Sequence, residues 1–159
     1  SNPYSLEVFK VSDEATILPQ FLLGITWITG GYFINNFLTK KFGHRFIILI
    51  GATLNTLGLL GMALSSSFLW FSTFLILSCI PAAWTWPNIL TVISMNASKN
   101  DQGKIMGIGQ SCMSLGCMFA TLIGGVIAAT KLGYLYTFSV VFLIITCVLI
   151  LFSLKRTNA

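Results

Sequence analysis

Trp84 and Asn88 stand four residues apart in a long apolar run, on one helical face with Pro81. An indole and a carboxamide side by side offer stacking and hydrogen bonding, the chemistry that recognises an amphipathic organic solute. Pro81 and Pro87 each remove a helix hydrogen bond, which is tolerated at membrane depth where a helix lines a cavity or packs on neighbours. The competing reading makes Trp84 and Trp86 interfacial belt residues. Gln20, Thr26, Trp27 and Asn35 in an earlier run, and Gln110, Ser111 and Ser114 in a later one, invite two readings as well. They face a water-filled path, or they hydrogen-bond a neighbouring helix. Asn55 reads as a helix–helix bond.

What is missing narrows the chemistry. Every Asp, Glu, Lys and Arg, and the single His44, falls at or outside the end of an apolar run. A proton pump or an intramembrane protease needs such groups within the span, as paired Asp, Ser with His, or HExxH. An enzyme is therefore not expected. Cys79, Cys112, Cys117 and Cys147 make no CxxC pair and no cluster with His44, so they read as small buried apolar residues. No metal or cofactor is expected. Asn96-Ala97-Ser98 matches the glycosylation sequon, in a connection placed on the cytoplasmic side below, where it would be silent.

The elements that would position these side chains follow from composition. Of 159 residues, 55% are hydrophobic and 8% charged, against about 25% charged in ordinary soluble domains. So few charges cannot cover a surface in water, and the lipid bilayer is the expected solvent. The net charge of +5 comes from residues scattered between apolar runs, with no basic stripe and interleaved aromatics, so nucleic acid is not an expected partner. Five runs are long enough to span, at about 15–39, 46–64, 69–94, 105–129 and 133–154. Ser12 caps the first, with Asp13 and Glu14 in its positive first turn, and Lys40-Lys41-Phe42-Gly43 closes it. The runs are too continuous for tilted barrel strands, so the fold class is an all-α, polytopic membrane helical bundle.

Lysine and arginine set the orientation. One side collects Lys40, Lys41, Arg45, Lys99, Lys104, Lys155 and Arg156, the other only Lys10 and Lys131. The C-terminus is thus expected in the cytoplasm and the N-terminus outside. Five spans with an outside start and no signal peptide read as a truncated unit, with one helix upstream completing six.

The fourth run carries Gly116, Ala120, Gly124 and Ala128 at four-residue spacing, a ladder of small residues for close helix packing. Gly107, Gly116, Gly124 and Gly125 also follow the spacing G-x8-G-x3-GP-x2-GG, with Ala120-Thr121 at GP. The first connection, Asn36 to Arg45, is similar to G-x-L-x-D-R-x-G-R-R, matching at Leu38, Lys41, Gly43 and Arg45. Asn36 replaces the Gly and Lys40 the acid. Together these resemble the major facilitator superfamily. The resemblance covers the chain from about Leu6 onward. It implies a twelve-helix fold of two six-helix halves, of which residues 1–159 supply part of the C-terminal half, helices eight to twelve. Asp101-Gln102-Gly103 leading to Gly107, Gln110 and Ser111 looks like the drug-efflux members.

The resemblance implies secondary active transport of a small organic solute by alternating access, with proton-exchange efflux of drug-like compounds the first reading. Gln20, Trp27, Trp84, Asn88 and Gln110 become substrate-side residues, and Leu38, Lys41, Gly43 and Arg45 a conformational loop. Partners would be the substrate, protons, the lipid bilayer and a missing N-terminal half, in the plasma membrane of a bacterial inner-membrane type. The rivals are a proton-coupled metabolite importer and a non-transporting membrane scaffold subunit.

Overall fold

Helix is the only regular structure that satisfies a single chain's backbone polar groups in lipid segment by segment, and it is the only kind present among the described residues. The computed structural model describes residues 3–130 and 134–157. Lys131, in the last connection, and the side chains of Lys155 and Arg156 lie outside what is described.

A short helix not anticipated from sequence, α1 (Pro3–Phe9), opens the chain with proline at its first position. Lys10, at φ 53°, turns it out of helical geometry. In α2 (Asp13–Ile28) the Ser12 hydroxyl accepts from the Ala15 amide at 3.4 Å, and Asp13 and Glu14 occupy the first turn. The apolar run then changes gauge. Thr29–Ile34 is a π-helical turn before α3 (Asn35–Phe42) resumes, so the first span of 30 residues, Asp13–Phe42, is composite. Gly30 and Gly31 weaken the α-helical ladder here, and packing against a neighbour fixes the wider turn.

Gly43 alone separates α3 from α4 (His44–Leu64). Its φ of +75° is the left-handed conformation that favours glycine, so one residue makes the corner. Ser65–Ser67 leads to α5 (Phe68–Met95), a 28-residue helix uninterrupted by Pro81 or Pro87. There follow α6 (Gln102–Thr130) and α7 (Tyr134–Thr157). At about 1.5 Å per residue, the composite span, α4, α5 and α6 are each long and apolar enough to cross a hydrocarbon core of about 30 Å. The apolar stretch of α7 among the described residues, Tyr136–Leu149, is shorter.

The packing centre is the antiparallel pair α4 and α5, built on glycines the sequence reading passed over. A methyl added to Gly58 would stand 2.5 Å from Ser78 Cβ, and one on Gly61 2.5 Å from the Phe74 ring. Gly51 lies against Trp84 and Thr85. Such contact substitutes for the hydrophobic drive that lipid does not provide. The π turn closes on α5 in the same manner, since a Cβ on Gly30 would meet the Ile80 carbonyl oxygen at 2.9 Å. The α7 helix lies on α4, with Thr56 Oγ1 3.7 Å from Cys147 Sγ. At the end opposite Lys40, Lys41 and Arg45, Phe9 of α1 meets Phe71 at 5.3 Å between ring centres, and Phe71 meets Tyr136 at 5.4 Å. Neither α3 nor α6 has a buried residue among those described, and α6 is by far the longer of the two. It approaches α5 at Gly109, where an added Cβ would stand 3.7 Å from Leu90 and 3.8 Å from Ile93.

Candidate functional site

The π turn delivers Asn35 at the start of α3, the Gly43 corner delivers His44 at the start of α4, and α5 presents Asn88 to both. Asn88 Nδ2 donates to Asn35 Oδ1 and to the Trp84 carbonyl, each at 2.6 Å. Its two protons are then spent, so Oδ1 is the acceptor opposite His44 Nδ1 at 2.6 Å. That fixes the His44 tautomer: Nδ1 carries the proton. One amide, 1% exposed, thereby ties three helices at the end of the bundle where Lys40, Lys41 and Arg45 lie.

This network relocates two residues expected to face substrate. Asn88 has no free donor, and Trp84, 6% exposed, lies in the α4–α5 seam over Gly51. The Trp84 indole N–H is buried without a partner among the described residues. Burial also removes Trp84 from the interfacial belt. Gln20, Trp27 and Gln110 remain open: Trp27 is 51% exposed, and Gln20 and Gln110 are exposed too. Gln20 Nε2 lies 3.5 Å from Thr16 Oγ1. The structure thus does not gather the five expected residues into one cluster.

Ser111 and Ser114 donate to the carbonyls of Gly107 and Gln110, within α6 rather than to a neighbour. Gln110, Ser114, Cys117 and Thr121 fall at i, i+4, i+7 and i+11, a polar stripe along an exposed helix. The small-residue ladder lies on a different face. Gly116, Ala120 and Gly124 line an apolar groove of about 430 Å³ opposite Phe138 and Phe142 of α7. A Cβ on Gly116 would touch nothing within 4 Å, so no helix of the described residues makes the close approach its ladder permits. Asn55, read as a helix–helix bond, is half-buried and bonds none of the described residues.

In the loop, Leu38 is half-buried, Lys41 Nζ stands 5.3 Å from the Phe42 ring centre, and Gly43 makes the corner. Among the described residues no three His, Cys, Asp or Glu converge on a possible metal position. What the site offers is neutral hydrogen bonding and helix register.

A family model described as the Major Facilitator Superfamily matches residues 3–159. The chain belongs to the major facilitator superfamily. It is accordingly a multi-pass membrane protein of the major facilitator transporter type. No curated protein and no solved structure matches it. In this major facilitator chain the corner signature has a geometric basis, since only Gly43 tolerates the backbone that lets His44 reach Asn88. His44 entered the sequence reading only as a loop residue. Its pairing with a residue 44 positions away has no local sequence signal.

Proposed function

We propose that this chain forms the C-terminal, five-helix portion of a secondary active transporter that moves small organic solutes by alternating access. The observation that supports it is α6. This helix is exposed along its length yet carries the Gln110 amide, in line with Ser114, Cys117 and Thr121, a group that hydrocarbon disfavours and a water-filled cavity accommodates. Gln20 and Trp27 stay open on the span whose Leu23 and Gly30 meet Cys79, Ile80 and Ala83 of α5. Substrate contact is assigned to Gln20, Trp27 and Gln110, through amide hydrogen bonds and indole stacking. Trp84 and Asn88 act as positioning residues for the helices that carry the cavity. Leu38, Lys41, Gly43 and Arg45 form the corner about which that end closes.

Within this class the first reading is proton-exchange efflux, with the proton-carrying acid on companion helices that also cover α6, and with the C-terminus in the cytoplasm of a bacterial inner membrane. The test is transport by the full-length protein in liposomes under an imposed pH gradient. Uptake of cationic, lipophilic dyes driven by an opposing proton flow is the expected result. Uptake in the same direction as protons would replace efflux with symport, and no gradient-driven movement of any solute tried would sink transport. Gln110→Ala should change the ranking of substrates, while a uniform loss would remove Gln110 from the substrate face.

A further inference from the structure

The basic end of the bundle holds a groove to which the transport reading assigns no occupant. About 530 Å³ in volume, it lies between the start of α4 and the end of α5. Arg45, His44 and Asn96 supply its polar lining, and Phe42, Phe46 and Met95 its apolar lining. We propose that this groove holds the headgroup of an anionic phospholipid, the phosphate on Arg45 and the upper acyl chain against Phe42, Phe46 and Met95.

Charge makes the first argument. No carboxylate lines the groove, and among the described residues Arg45 has no ion pair or hydrogen bond. Lys40 and Lys41 precede it in the same corner and are equally without a carboxylate partner there. An uncompensated guanidinium at a membrane surface attracts phosphate, to which its planar fork is matched.

Depth and shape make the second. The groove sits where the apolar spans Asp13–Phe42, His44–Leu64 and Phe68–Met95 end or begin, the level at which headgroups lie. Phe42, Phe46 and Met95 are 45%, 48% and 70% exposed. A free phosphate has no use for such a flank, whereas a molecule with a charged head and an apolar body needs both. The occupant would also bear on the helix network, because His44 lines the groove while its Nδ1 proton is held by Asn88. The inference rests on membrane embedding alone and stands apart from the direction or substrate of transport.

Native mass spectrometry of the full chain, released from detergent with equal amounts of phosphatidylglycerol and phosphatidylcholine of matched acyl chains, tests this. The expected result is about five-fold preferential retention of phosphatidylglycerol per arginine contact, falling to near parity in Arg45→Gln. Met95→Asp places a carboxylate in the groove at an exposed position at the end of α5, and should abolish the preference as well. Lys104→Gln, outside the groove, should leave it intact. Equal retention of the two lipids in the parent chain, or a preference that survives both groove variants, overturns the proposal. So does a loss in Lys104→Gln as large as that in Arg45→Gln, which would assign the preference to diffuse basic charge. Displacement of the lipid by millimolar inorganic phosphate would mark a small-anion site instead, and would equally overturn it.

Discussion

His44 Nδ1 donates to Asn88 Oδ1 across 2.6 Å, joining the first residue of α4 to the interior of α5. The same amide reaches Asn35 on α3, so register among three helices depends on one side chain. Asn88→Ala would leave a donor and an acceptor unpaired, at about 1–3 kcal/mol for each buried group in water-soluble proteins and about 0.6 kcal/mol per bond in membrane helices. We expect a lower unfolding temperature in detergent, and transport of all substrates reduced by a common factor. A selective change in substrate profile would show that Asn88 contacts substrate after all. Asn88→Asp should be no better, since it sets an acceptor against Asn35 Oδ1 and the Trp84 carbonyl.

Trp84 presents the opposite case. Its N–H bonds nothing among the described residues, so Trp84→Phe loses part of a ring but no hydrogen bond. The expected cost is about 1–3 kcal/mol, as for a large-to-small change that leaves part of a buried ring's space empty, with transport retained. Loss of transport from a well-folded Trp84→Phe protein would place the indole N–H on the substrate.

Two glycines separate a packed seam from an open face. Gly58→Ala drives a methyl into Ser78 and should cost about 1–3 kcal/mol by overpacking. Gly116→Ala meets nothing within 4 Å and should be neutral or stabilising by up to about 1 kcal/mol, through lower chain entropy. Unfolding midpoints of the isolated chain check the pair. A loss at Gly116 comparable to that at Gly58 would mean a helix seated on the ladder.

The π turn makes the same contrast within one span. Gly30→Ala places a Cβ 2.9 Å from the backbone oxygen of Ile80, which cannot rotate away, while Gly24 has open space around it. Gly30→Ala should destabilise and Gly24→Ala should not. Equal behaviour of the two would show that the turn opens readily.

Cysteine reactivity reports on what covers α6. Cys112 and Cys117 are exposed, while Cys79 and Cys147 are half-buried, with their sulfurs 3.7 Å from the Leu23 carbonyl and Thr56 Oγ1. A membrane-permeant maleimide should label the first two faster in this chain alone. In the full-length transporter Cys117 should slow most on adding substrate, and a rate unaffected by substrate would detach the polar stripe from the transport path.

The all-helical, membrane-length character of the chain and the Ser12 cap were legible because continuous hydrophobicity and capping chemistry are local. The π turn at Gly30 was not, since its geometry is settled by contact with Ile80, more than forty residues away. The tight seam among the described residues lies on α4, where Gly51 and Gly58 stand seven apart, whereas Gly116 in the four-residue ladder of α6 meets none of them closely. The signal was present in that spacing, but spacing alone does not tell an occupied face from an open one. Asn88 stood out as an amide in an apolar run, yet its partners could not be read, because they join residues from three separate helices.

The way α6 is held has a mechanical consequence. It rests on α5 near Gly109, close to its first turns, and beyond that faces α7 across a groove rather than a packed seam. It is therefore a cantilever clamped at its foot, beside a chassis stiffened by the glycine contacts of α4 and α5. From Gly109 to its end at Thr130 the arm is about 32 Å, so tilting about ten degrees at the foot swings the tip through about 5 Å. Small adjustments at the basic end would be geared up into a displacement the size of a side chain at the other.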